Sequence, residues 1–333
     1  MRRRTLCVLA AAAGLGLPRS SIPSARAAGA APLVTWTGPV LGGVGSIQLH
    51  HPDPVVAREL VKQCVAEIQR LEMLFSLWQV DSQLAKLNRH GVLAAPPPDM
   101  VRLLNLAQRV AALTGSLFDV TVQPLWALYR DHFTAENAAP EGPPPAAVEA
   151  ILALVDQRHL LVSPDRVVLA RKGMAVTLNG IAQGYVTDCV VNLLRRAGVT
   201  HTLVDLGEVR ALGMHPAGRP WRAALESPEA PGSFWGEVDL TDRALATSGD
   251  AGFVFDAGGR FTHLLDPRAG RSPRRYRAVS VVAPDAALAD ALSTAFSLMP
   301  EKDVAATVRQ LPGVEAYLLR HDGSRAVLRG GAA

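Results

Sequence analysis

The segment TLNGIAQGYVTDCVVNLLRRAGVTHTLVDL, residues 177–206, decides how this chain is read. Apolar residues at helical spacing run from Ala182 to Ala197, Gly198 then supplies the left-handed stop, and His201 to Leu206 suits a strand. Gly180 and Gly184 flank the entry to the helix. They predict a strand-to-helix turn whose backbone approaches a ligand closely, at a helix N-terminus that favours an anion. Their spacing is neither a P-loop nor a Rossmann fingerprint, and a pair of glycines before a helix is also common in ordinary turns.

Downstream, Trp221–Glu226, Gly236–Leu240, Phe253–Phe255, Phe261–Leu265 and Ala278–Ala283 suit strands, with no helical pattern until Asp285–Met299. Upstream, Gly42–Leu49 reads as a first strand and Val55–Leu77 as a helix begun by Asp53-Pro54. A short helix capped by Ser82, a helical stretch from Met100 to Leu113 and a hairpin around Ser163-Pro164-Asp165 follow. Strands cluster instead of alternating with helices, so the expected class is α+β, with mixed or antiparallel sheets packed against helices. The Ala/Pro-rich stretch from Glu136 to Pro145 reads as a surface loop, which leaves residues 28–333 as a single lobed domain.

Residues 1–27 have the three parts of a secretory signal: Arg2-Arg3-Arg4, the apolar run Leu6–Leu17, and Ala25-Arg26-Ala27. The apolar run is shorter than the roughly 18 to 20 residues that span a bilayer, so cleavage and a periplasmic product without stable membrane insertion are expected. The paired arginines resemble a twin-arginine signal, and a Sec signal is equally compatible. The net charge of +4 is mild, and no Lys/Arg block lies outside the N-terminus, so nucleic acid is not an expected partner. Cys64 and Cys189, in apolar helical patterns, read as buried thiols, with pairing open in an oxidising compartment.

Three segments carry chemistry. In ADALST, Ala289–Thr294, the four-residue spacing puts Asp290 and Thr294 on one helix face, where a carboxylate and a hydroxyl suit Mg²⁺ beside a pyrophosphate. The same spacing also fits a plain wet stripe formed by Asp290, Ser293, Thr294 and Ser297. The glycine turn is the second segment. The third, ATSGDAGFVFDAGGRFTHLLDPRAGRSP from Ala246 to Pro273, places Ser248, Asp250, His263, Asp266 and Arg268 around an expected hairpin, with His263 on a strand. A histidine there is either packed or a base near neutral pH.

Taken in order, LGGVGSIQL, FSLWQVDSQLAKLN, TGSLFDVTVQPLWALY, LNGIAQGYVTD, LVDLGEVRALG, ATSGD, THLLDPRAG and ALADALST resemble the FAD:protein FMN transferase (ApbE) family. The resemblance implies Mg²⁺-dependent transfer of FMN from FAD to a Thr or Ser hydroxyl of an acceptor flavoprotein in an exported or membrane redox system, with AMP released. Hydrolysis of FAD by water, and flavin binding without catalysis, use the same site. The family pattern implies Asp290, Thr294 and Gly180 as metal ligands. It implies Leu41, Trp78, Leu117, Phe118, Asp119, Thr177, Gln183 and Leu265 as flavin contacts, and His263 is the candidate base. The sequence departs from the pattern at Gln183, where Lys or Glu is frequent, at Thr177 for Asp, at Glu208 for Gly and at Ala269 for Thr.

Overall fold

The structure, a computed structural model, describes residues 31–227 and 232–331. The signal segment and Cys7 lie outside the described residues. Strands β1 (Leu33–Val40) and β2 (Gly43–His50) come first, then helices α1 (Pro54–Phe75) and α2 (Gln83–His90), strand β3 (Val92–Ala94) and helix α3 (Pro98–Leu113). Helices α4 (Gln123–Thr134) and α5 (Pro145–Leu152) precede strands β4 (Leu160–Val162) and β5 (Arg166–Leu169). Helix α6 (Ala182–Arg196) leads into strands β6 (Thr202–Asp205), β7 (Val209–Leu212), β8 (Trp221–Glu226), β9 (Phe234–Leu240), β10 (Ala244–Gly249) and β11 (Ala278–Ala283). Helices α7 (Ala286–Leu298) and α8 (Glu301–Arg309) and strands β12 (Glu315–Leu319) and β13 (Arg325–Arg329) complete it.

The α+β class holds. Eight strands form one sheet in the order β1-β2-β6-β7-β10-β11-β12-β13, and every neighbouring pair is antiparallel. Its central strands are covered on both faces. Val279, Val281 and Ala283 enter the main core with α1, α6 and α7, while Ala278 and Val282 enter a second core with Trp221 and Trp235 of the β8–β9 hairpin. That explains why β11 is buried along its whole length and apolar apart from Ser280 although its sheet is antiparallel, since neither face meets water. Edge strand β13, by contrast, alternates exposed and half-buried residues.

Helix starts follow local chemistry. Asp53 caps α1 by accepting from the amides of Val55 and Val56 at 2.7 and 3.2 Å, ahead of Pro54, and Ser82 caps α2 through the Ala85 amide at 3.0 Å. Gly198, at φ 83°, closes α6. Helix α7 is capped from a distance: both carboxylate oxygens of Asp188 on α6 accept from the amides of Ala286 and Ala287 at 2.8 and 3.0 Å. The helix that carries Asp290 and Thr294 is thus held in place by α6.

Two expected strands are absent. Phe253–Phe255 and Phe261–Leu265 are a loop joined by one isolated bridge, Val254 to Thr262, so His263 sits on no strand. Packing among Trp126, Tyr129, Phe133, Phe255 and Phe261 holds this loop without extending a ladder. No strand precedes the glycine turn either, because residues 174–178 are irregular. Cys64 and Cys189 are both free thiols, each pushed up to about 12 chiefly by burial. Among the described residues, no helix is long and apolar enough to cross a membrane.

Candidate functional site

A cavity of about 570 Å³ opens where the β6–β7 turn, the N-terminus of α6, α7 and the loop after α3 meet. Of the residues singled out in the sequence, Trp78, Leu117, Phe118, Asp119, Thr177, Gly180, Gln183, His263, Leu265, Asp290 and Thr294 all line it. Leu41 does not: it occupies the β1–β2 turn at φ 46° beside Gly42 at φ 80°, and packs against the main core. Its neighbours Gly43 and Val44 line the cavity instead.

The glycines have separate roles. A Cβ on Gly180 would stand 2.9 Å from Thr294 Oγ1 and 3.4 Å from Phe118, so the turn touches α7 and the apolar wall together. A Cβ on Gly184 would fall 2.3 Å from the Ala286 carbonyl oxygen. Gly184 therefore serves the crossing of α6 over α7, not the approach of a ligand, and its amide donates to Asp290 Oδ2 at 3.1 Å. The positive φ of Gly207, 105°, brings the β6–β7 turn against the Gln183 amide.

Helix α7 carries no wet stripe. Ser293 donates to the Asp290 carbonyl at 2.9 Å, Ser297 donates to the Ser293 carbonyl at 2.8 Å, and Asp290, Ser293 and Ser297 are all buried. The Ser293 hydroxyl meets Ser248 of β10 at 2.8 Å, and Ser248 lies 3.4 Å from the Thr294 hydroxyl. The spacing of four does align Asp290 with Thr294, but they face a cavity, not bulk water.

Asp119 is already committed: it accepts from the Thr121 amide and hydroxyl at 2.8 and 2.6 Å and from the Gln157 amide at 3.0 Å. It fixes the wall that bears Leu117 and Phe118. Trp78, 58% exposed, stands at the rim on a turn whose amides donate to Ser76 Oγ. His263 accompanies Phe253, with Nδ1 3.1 Å from the Phe253 carbonyl. In the neutral ring Nδ1 then donates to that carbonyl and Nε2 carries the lone pair. Asp266 instead caps its own turn through the amides of Arg268 and Ala269 at 2.8 and 3.2 Å.

Sequence reasoning does not find the acidic wall. Asp205 and Glu208, at the ends of the β6–β7 turn, line the cavity with Asp290 and are buried. Burial, first of all, pushes the Asp205 carboxyl up to about 6 and Asp290 up to about 7. Burial, followed by the charges of Asp290 and Asp205, pushes Glu208 well above the carboxylate range. The LVDLGEVR motif names the position, but nothing in its spacing says that this turn faces α7.

These shifts have a sign. Folded-state values above the unfolded ones add stability that is complete below about pH 4 and is lost as the pH rises through about 6 to 7. Denaturant unfolding of metal-free protein in chelator is expected to show stability falling from pH 5 to pH 8, with this wall contributing on the order of a few kcal/mol. In Asp290→Asn the decline is shallower. Equal slopes in the two proteins would refute the assignment.

The chain matches the ApbE family over residues 41–318. It is similar to the FAD:protein FMN transferase of Klebsiella pneumoniae strain 342, 27% identical over 297 residues that cover 86% of this chain and 84% of that one. It is 30% identical over 256 residues to the FAD:protein FMN transferase of Haemophilus influenzae, covering 73% of each. Its fold is similar to that of the flavin transferase ApbE from Vibrio cholerae, with a TM-score of 0.76, 26% identity, and coverage of 90% of this chain and 97% of that one.

Proposed function

The chain belongs to the ApbE family, and from that membership we propose that it transfers the FMN moiety of FAD to a Thr or Ser hydroxyl of an acceptor flavoprotein and releases AMP. One observation carries the reading: a single cavity joins an apolar and aromatic wall of Trp78, Leu117, Phe118 and Leu265 to the oxygens of buried Asp290 and half-buried Thr294. The first suits a flat ring system and the second a phosphate-bound cation.

In the proposed reaction the acceptor oxygen bonds to the FMN phosphorus as the phosphoanhydride bond to AMP breaks. His263 takes the hydroxyl proton on Nε2, and its Nδ1 contact with the Phe253 carbonyl holds the ring in the required tautomer. The apolar wall orients the flavin, which matters because phosphoryl transfer depends mainly on placement and electrostatics. Gln183, held against the β6–β7 turn, offers a neutral amide to the ligand.

The residues fit a hard divalent cation. Asp205, Glu208 and Asp290 all line the cavity, and Glu208 Oε2 is buried without a hydrogen-bond partner. In our reading Asp290, Thr294 and the Gly180 carbonyl hold Mg²⁺. When bound, the ion offsets charge developing on the phosphate oxygens. We also propose that the chain is exported to the periplasm, on the strength of residues 1–27.

The test is incubation of the mature protein with FAD, Mg²⁺ and a Thr-containing acceptor flavoprotein. Flavin fluorescence that survives a denaturing gel on the acceptor, with one AMP released per flavin attached, is the expected result. AMP without labelled acceptor would replace transfer by hydrolysis, and intact FAD would refute both.

A further inference from the structure

We propose that Glu208 is itself a ligand of the divalent cation, binding through Oε2 together with Asp290. The proposal rests on the cation reading above and adds to it a residue that comes from the sheet and not from α7.

Glu208 Oε2 is fully enclosed and has no partner among the described residues. The residue is 7% exposed and lines the cavity. An enclosed carboxylate oxygen without a donor is costly, and a cation held in the cavity that Glu208 lines would meet it. The rest of the side chain is anchored. The Thr247 amide bonds its carboxyl group, and the Leu206 amide donates to its backbone carbonyl at 3.2 Å. Such support from surrounding groups is what positions a metal ligand.

A neutral donor would meet that one atom but would not favour the ionised carboxylate that a metal ligand requires. Glu208 faces the charges of Asp290 and Asp205, and among the described residues no salt bridge reaches any of the three. The arginine nearest in sequence, Arg210, gives Nη1 to Asp188 and Nη2 to Asp285, the latter at 3.2 Å, and its Nε bonds none of the three carboxylates. A divalent cation meets both needs, with carboxylate oxygens from two elements and a hydroxyl from Thr294 as hard ligands. The ion would then tie the β6–β7 turn to α7.

The experiment titrates Mn²⁺ into the full mature chain, with and without FAD, and follows it by electron paramagnetic resonance and water-proton relaxation. Wild type, Glu208→Gln and Asp290→Asn are compared, with thermal unfolding in chelator confirming that each is folded. Glu208→Gln is expected to weaken Mn²⁺ by about 10-fold or more, with one more water on the ion. Asp290→Asn is expected to weaken it at least as much. Unchanged affinity in Glu208→Gln alongside loss in Asp290→Asn overturns the role of Glu208 and leaves the cation site standing. Weaker binding with no added water makes Glu208 a nearby charge and overturns its role as a ligand. Wild type that takes up no Mn²⁺ in either condition overturns both readings.

Discussion

Asp290→Asn is expected to reduce flavin transfer by at least about a thousandfold, equivalent to roughly 4 kcal/mol of transition-state stabilisation, while the protein stays folded. The substitution preserves shape, and the amide oxygen still accepts the 3.1 Å bond from Gly184. What disappears is the charge. Asp290 lies buried beside Glu208 and is raised to about 7, so in metal-free protein at pH 8 the ionised carboxylate is a cost that Asn does not carry. The melting temperature in chelator at that pH is therefore expected to be no lower than that of wild type. Adding Mg²⁺ should raise it in wild type and leave the variant unmoved. Full activity in Asp290→Asn would remove the residue from the machinery.

Gly184→Ala is expected to have the largest effect on stability, about 3 kcal/mol or more. The added Cβ meets backbone on the facing helix, with the Ala286 carbonyl oxygen at 2.3 Å, its carbon at 2.5 Å and Ala287 Cα at 2.7 Å. No rotamer change relieves a clash with backbone, so α6 and α7 have to separate. That movement would also pull the Gly184 amide from Asp290 and the Asp188 carboxylate from the start of α7. Denaturant unfolding is the check. A loss below about 1 kcal/mol would mean that the crossing has room to spare. Gly180→Ala makes a useful contrast, because the nearest atom there is a side-chain hydroxyl at 2.9 Å. It should cost less stability than Gly184→Ala.

The elements that sequence reading places well are those whose ends carry their own chemistry. Asp53, Ser82 and Gly198 mark helix boundaries by local hydrogen bonds or a left-handed backbone, and α1, α2 and α6 begin or end there. Trp221–Glu226 and Ala278–Ala283 are strands with those same bounds. The misreadings are of another kind. Phe253–Phe255 and Phe261–Leu265 have the aromatic content of strands, yet their residues pack against Trp126 and Tyr129 and form a single bridge. No strand is expected over ATSGD, but Ala244–Gly249 is a strand between β7 and β11, and its small residues let α7 lie close over the sheet.

By itself the sequence determined the α+β class, most helix starts and stops, and the four-residue spacing that puts Asp290 and Thr294 on one face. All of these follow from interactions between near neighbours along the chain. Only the tertiary structure decided that α7 is buried except at Leu288 and Thr294, that Gly184 exists for a helix crossing, and that Glu208 and Asp290 line one cavity. Each of those depends on residues tens of positions apart, brought together by the antiparallel sheet order β6-β7-β10-β11, and no local pattern encodes which turn will face which helix.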